Sequence, residues 1–299
     1  MSPRFPFLDH ALLLLLAFIW GSSFTLIKVV VIDIPPLTLT WMRITTAALA
    51  LGLAARLAGQ AWPRGGRMWA WIVAAGLTGN IIPFSLISWG EQVIDSGLAA
   101  IYIAIVPIAV LVLAHFLTTD ERITPAKGLG VAFGFAGILV LVGPRALAGM
   151  DEHLLRQLAV AAAAVSYAAN TLIIKRISGQ HPIAMAAAIM AVSALLLAPF
   201  ALWRDFPIHP SALSLAGAAL LGLVHTGLAT LIMFAIVRRR GAGFFSMINF
   251  LIPLFGYFLG VALLGEPLRP RALAALGLIL SGIWLSTRAS GARRPAPTD

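Results

Sequence analysis

The sequence predicts an all-α polytopic membrane protein of ten transmembrane helices, built as two five-helix units inserted upside down to one another. Three observations predict it. Sixty per cent of the 299 residues are apolar and only 11% are charged, against about 25% charged in an ordinary soluble domain. Apolar runs close to the roughly 20 residues that span a bilayer recur along the whole chain. An acid followed four residues later by proline punctuates the chain twice, in LTTDERITP (residues 117–125) and LLGEPLRP (residues 263–270).

Hydropathy divides the chain into spans at 9–31, 37–58, 68–89, 95–117, 126–143, 155–176, 182–203, 212–236, 243–264 and 269–288. Each is long enough to cross with some tilt. The first run continues from Ala11 to Val31, too long for a signal-peptide core, and reads as a retained helix. The joints are short and carry turn or charge signals, among them IDIPP, GQAWPRGG, GEQVIDS, SGQHP and RRRGAG. The tail from residue 290 is polar, contains proline and reads as a disordered cytoplasmic segment. The expected units are therefore 1–145, 146–289 and the tail 290–299.

Charge sets the orientation. With the N-terminus inside, the inner loops and tails hold fourteen Lys and Arg residues, from Arg4 to Arg294. The outer side holds six: Lys28, Arg145, Arg156, Arg204, Arg269 and Arg271. The positive-inside rule then places both termini in the cytoplasm. The net charge of +10 does not indicate nucleic acid, because the basic residues stand singly between apolar spans. Without cysteine there is no disulfide framework and no thiolate metal site. No cofactor is implied.

Residues 20–143 overlay residues 167–288. Trp20 falls on Tyr167, Ile27–Lys28 on Ile174–Lys175, Gly97 on Gly243 and Pro107 on Pro253. After a one-residue slip, Glu121 falls on Glu266 and Pro125 on Pro270. The two acid-proline stretches are thus one joint in two copies. A unit with five spans enters the membrane from opposite sides in its two copies, so the halves should be related by a pseudo-twofold axis in the membrane plane.

WGSSF at Trp20–Phe24, Arg43 in the second span, and the Gly97–Pro107–Glu121 series with its echo Gly243–Pro253–Glu266 resemble the two EamA repeats of the drug/metabolite transporter superfamily. The likeness covers residues 10–288 and is closest to the bacterial YddG-type exporters of aromatic and other amino acids. It implies ten helices with cytoplasmic termini, a central cavity between the halves, and peripheral fifth and tenth helices.

Inverted-repeat transporters bind substrate near the bilayer midplane between the halves, so polar and aromatic residues within the spans are the candidates. Trp20, Ser22 and Ser23 lie at depths matching those of Tyr167 and Asn170 on the symmetry-related helix, where a shared cavity would draw its walls for stacking and hydrogen bonding; the bland alternative is interfacial aromatics and small packing residues. Asn80 offers donors and an acceptor at mid-depth, or serves as interhelical glue; Ser85 and Trp89 follow it. Pro83 removes a backbone donor and kinks that helix. Tyr102 and Asn249 precede Pro107 and Pro253, which are read as hinges or as static kinks.

His225 either titrates or is a neutral histidine bonded to a neighbour. Arg43 is expected to pair with Asp33, Glu91 or Asp95, the other reading being attraction of a substrate carboxylate. Lys28 near its helix end is expected to snorkel. All eleven acids fall in loops or at span ends, so no buried carboxylate is expected to couple transport to an ion.

These features point to an exporter of small amphipathic metabolites, foremost neutral and aromatic amino acids. It would work among membrane lipid, with a monomer sufficient in principle, by alternating access through a weakly charged cavity. A lipid or nucleotide-sugar translocase is the alternative. An intramembrane enzyme would need paired carboxylates, a metal cluster or an activated nucleophile, and a channel would show polar rings.

Overall fold

The computed structural model describes residues 6–118, 123–147, 153–177, 181–204 and 208–291. The described residues are helical, without strands. The first half comprises α1 (Pro6–Val30), α2 (Pro36–Leu57), α3 (Gly66–Gly76), a π-helical turn (Leu77–Ile81), α4 (Ile82–Glu91), α5 (Ser96–Ile103), α6 (Val106–Leu117) and α7 (Pro125–Leu147). The second comprises α8 (Leu154–Ile174), α9 (Pro182–Arg204), α10 (Ala212–Gly222), a second π-helical turn (Leu223–Leu228), α11 (Ala229–Phe245), α12 (Ile248–Leu264) and α13 (Pro270–Gly291).

Proline writes many of the helix starts. Pro36, Pro107, Pro125, Pro182 and Pro270 all sit in a first turn, where the missing N–H is an orphan in any case and φ is preset. Among the described residues, eight helical stretches are long and apolar enough to cross a membrane, and the apolar helices Lys127–Gly143 and Ile248–Leu264 are shorter. Large apolar side chains such as Phe7, Leu49, Leu53, Phe116, Leu195 and Trp203 stand exposed around the bundle. So much outward-facing apolar surface fits lipid rather than water. The chain is a multi-pass membrane protein.

The two halves run in opposite senses. The Lys28 Nζ at the end of α1 donates to the carbonyls of Glu91 and Ile94, both at 2.8 Å. Arg156, at the start of α8, donates to the Trp89 carbonyl at 2.5 Å and to Gln92 Oε1 at 2.9 Å. The end of the first half's leading helix and the start of the second half's therefore meet at one face of the bundle. At the opposite face, Asp9 near the start of α1 accepts from Arg239 at 2.6 Å and Arg240 at 3.3 Å.

α7 and α13 pack chiefly on each other. They approach closely because small residues line the seam: a Cβ on Gly282 would lie 2.6 Å from the Gly130 carbonyl oxygen. Close backbone approach is the means by which membrane helices associate when lipid offers no hydrophobic contrast. The central helices of both halves interleave, with α2 on α9, α1 on α12 and α4 on α8.

Some expectations need correction. Glu91 lies at a helix end yet has no exposed surface, and neither carboxyl oxygen has a hydrogen-bond partner. It is therefore a buried carboxyl, because the end of α4 is covered by protein rather than by water. Asp9 is also buried, satisfied by its two arginines. Arg43 pairs with none of the acids named for it. Asp33 is taken by Ser211 and Ser214, Asp95 by Arg269 at 2.8 Å, and Glu91 stands apart. The half-buried Lys28 has its head group on the two carbonyls at and just after the end of α4. Glu121 lies outside the described residues.

Candidate functional site

A cavity of about 390 Å³ lies between the halves. α1 contributes Trp20, Ser23 and Phe24, α2 contributes Arg43, and α8 contributes Tyr167 and Asn170. The two π-turns supply Gly79 with Asn80, and His225 with Thr226. Phe245, Asn249 and Pro253 complete the wall from α11 and α12.

The π-turns occupy matching places in the halves. Widening the helix by one residue per turn frees local backbone groups and re-aims the side chains beyond, and such turns recur at functional sites. In the first, Pro83 follows directly and cannot donate to the preceding turn. In the second, polar side chains meet the widened backbone: Thr226 Oγ1 donates to the Leu221 carbonyl at 3.0 Å, five residues back. The absent side chain of Gly79 matters, since a Cβ there would lie 2.7 Å from Asn170 Nδ2.

Arg43 is buried, yet it lines the cavity. Its Nε donates to Thr226 Oγ1 at 2.9 Å, and its guanidinium carbon stands 3.9 Å from the centroid of the Phe84 ring. Phe84 in turn meets Tyr167 edge-on at 6.4 Å. Across the cavity Trp20 meets Phe245 at 6.1 Å. Stacking on an aromatic face suits the planar, weakly hydrated guanidinium.

His225 Nδ1 lies 3.2 Å from the Leu220 carbonyl oxygen, which can only accept, so Nδ1 carries a hydrogen. Its Nε2 lies 3.2 Å from Ser22 Oγ. Both ring nitrogens are thus engaged with neighbours.

The structure brings Trp20, Ser23, Asn80, Tyr167, Asn170, His225 and Asn249 together around the cavity, with Arg43 and Pro253 beside them. Ser22 sits one layer back, against His225. Tyr102 turns away and donates to Gln157 Oε1 at 2.7 Å. Trp89 lies under Arg156, 3.9 Å from ring centroid to guanidinium carbon. The Ser85 hydroxyl is buried without a partner. Pro83 and Pro107 lie away from the lining; Pro107 follows a break at Ala104–Ile105. Phe84, Thr226 and Phe245 were not legible as lining residues. Phe84 and Phe245 stand among other apolar residues and give no signal of which face meets a cavity, and Thr226 is a hydroxyl that a helix can equally satisfy on its own backbone.

The cavity is closed at the Lys28 end. Its lining residues toward that end, Ile27 and Ile87, are buried, whereas Thr171 toward the Lys175 end is exposed. The closed end is stitched by polar contacts between the halves. Glu266, in the joint between α12 and α13, accepts from the Ser96 and Gly97 amides at 2.6 and 2.9 Å. A carboxylate there satisfies orphan donors at the start of α5 and meets the positive end of its dipole.

The sequence matches the profile of the EamA-like transporter family twice, over residues 9–143 and 155–288. The chain belongs to the EamA-like transporter family. Among its relatives, an uncharacterised transporter of Archaeoglobus fulgidus is 28% identical over 90% of this chain and 95% of its own. The "Probable terminal-alkyne amino-acid exporter" of Streptantibioticus cattleyicolor is 30% identical over 93% of each chain. The "Probable amino-acid metabolite efflux pump" of Salmonella typhimurium is 26% identical over 96% of this chain and 97% of its own. A crystal structure 21% identical in sequence superposes with a TM-score of 0.66, covering 96% of this chain and 99% of that one, and so shares the fold. The protein is an EamA-family membrane transporter.

Proposed function

We propose that this EamA protein exports small amphipathic metabolites, foremost neutral and aromatic amino acids, across a bacterial inner membrane by alternating access. The observation that carries the reading is the cavity itself: both halves wall it with aromatic and amide side chains, buried toward the Lys28 end, with Thr171 exposed toward the Lys175 end. Its volume suits a solute of amino-acid size. The relatives named as an amino-acid exporter and an amino-acid metabolite efflux pump support the substrate class. The two family matches support repeats at 1–145 and 146–289, and the lysine and arginine count supports cytoplasmic termini. The Lys175 end would then face the cytoplasm, and the cavity would be loaded from there. The site residues are those around the cavity, with Pro107 and Pro253 absorbing the bend between states.

Purified protein in liposomes tests the reading by counterflow of labelled phenylalanine, methionine and leucine. Saturable exchange is expected, weakened in Trp20→Ala and Asn80→Ala while insertion into the membrane is retained. Wild-type exchange in both variants would move the site elsewhere. Scrambling of labelled lipid or exchange of nucleotide sugars without amino-acid exchange would replace the substrate class.

A further inference from the structure

We infer that Arg43 makes this cavity a carboxylate site, so that the protein carries aromatic monocarboxylates lacking an amino group and rejects amines lacking a carboxylate. The inference rests on the transport reading above and narrows its substrate class to solutes with a carboxylate head.

Arg43 is the single ionised side chain on the cavity wall among the described residues; His225 is the other titratable group there besides Tyr167, and no acid lines it. Glu91 acts on Arg43 electrostatically but makes no ion pair or hydrogen bond with it, and the other acids of the bundle among the described residues are engaged elsewhere. Glu91 is sealed behind the wall, Asp9 is held by Arg239 and Arg240, Asp95 by Arg269, and Glu266 by the amides of α5. A buried cation without a counter-ion is costly to maintain unless something supplies the missing charge.

The fork is also aimed. Thr226 spends its hydrogen on the Leu221 carbonyl, which leaves its oxygen lone pair to accept from Arg43 Nε. The Phe84 ring supports the guanidinium plane. Among the described residues nothing accepts from the terminal Nη groups, and these are the donors that grip a carboxylate in two parallel hydrogen bonds. The aromatic walls of Phe84 with Tyr167, and of Trp20 with Phe245, then take the apolar body of the solute. A substrate ammonium would meet no carboxylate, only neutral amides and hydroxyls and the faces of aromatic rings. The amine is therefore tolerated rather than required.

Liposomes containing the full-length protein, exchanging labelled phenylalanine, labelled 3-phenylpropionate or labelled phenethylamine, test this. Phenylalanine and 3-phenylpropionate should exchange at comparable rates, and phenethylamine at no more than the rate of protein-free vesicles. Arg43→Gln should slow both carboxylates by about tenfold or more, the size of one charge-assisted contact. Arg43→Lys, which keeps the charge without the fork, should fall between. Phenylalanine exchange without 3-phenylpropionate exchange overturns the inference and leaves the amino-acid reading standing. Exchange of 3-phenylpropionate alone supports the inference and removes the amino-acid reading; silence from all three removes both. Should Arg43→Gln not insert, competition against wild-type exchange decides: inhibition by phenethylamine as strong as by 3-phenylpropionate overturns the inference.

Discussion

Gly97 and Gly243 hold matching places in the two halves, yet their surroundings differ. A Cβ on Gly97 would lie 2.8 Å from Tyr257 Cδ2 and 3.2 Å from Glu266 Oε2, whereas a Cβ on Gly243 would meet nothing within 4 Å. At the first position α5 begins with its amides capped by a carboxylate from the opposite half. At the second, the backbone passes Gly241, with φ of +80°, into a short exposed stretch. The difference teaches that near-duplicate sequence units need not be in the same state. One end of the bundle is zipped and the other is not, and exchanging those conditions is what alternating access requires.

Substitutions at the zipped end should break this contrast. The largest effect is expected from Glu266→Ala, which removes two charge-assisted hydrogen bonds, each contributing about 1.5–3 kcal/mol. The chain has no cysteine, so Ile87→Cys gives a labelling probe without background. Its reaction with a membrane-impermeant maleimide added at the Lys28 end should quicken about tenfold or more in the Glu266→Ala background. An unchanged rate would mean that the cap does not hold that end shut.

The glycines themselves sharpen the comparison. Gly97→Ala should cost about 1–3 kcal/mol by overpacking against Tyr257, and Gly243→Ala should stay within about 0.5 kcal/mol. Thermal unfolding in detergent reads both, and equal shifts would dissolve the distinction. Arg269→Ala breaks the partly exposed pair with Asp95 and should shift stability by no more than about 1 kcal/mol. A larger loss would show that the pair holds the zipped end, not merely decorates it.

The smallest effect concerns Asp33, in the turn between α1 and α2. Its Oδ2 accepts from the Ser211 hydroxyl at 2.6 Å, the Ser214 hydroxyl at 2.7 Å and the Ser211 amide at 3.3 Å. Hydrogen bonds from the Ser211 hydroxyl first, then from Ser214, hold its carboxyl below the ordinary value of 3.8. A depressed folded value means that the stabilisation is fully present above pH 3.8 and is lost as pH falls through the folded value. Melting followed from pH 5 downward should therefore show a slightly shallower acid loss in Asp33→Asn than in the wild type. Identical slopes would mean that this contact carries no linkage.

Much of the architecture was legible because a bilayer writes it in composition. Span positions follow from hydropathy, and the inverted duplication from spaced Glu, Pro and Gly that greasy composition alone does not generate. Trp20, Tyr167, Asn170 and His225 were legible because polar or amphipathic groups deep in a span need a reason. Tyr102 shows where that logic stops: its hydroxyl is satisfied by Gln157, a partner 55 residues away that no periodicity reveals. Glu91 was hidden because a span end normally meets water, and only tertiary packing seals this one. The π-turns shift helical phase by a fraction of a turn, which altered the aim of Asn80 and Thr226 without leaving a mark in hydropathy. Pro83 was the one local clue, and the second turn has none.

α1 is fastened at both extremities to different partners. Asp9 is clasped by arginines at the far end of α11, and Lys28 is moored to carbonyls beside α4 and α5. On the alternating-access reading proposed above, such a rod is expected to act as a lever pivoting near Trp20, so that prying loose the Lys28 mooring tightens the Asp9 clasp and the two mouths do not gape together.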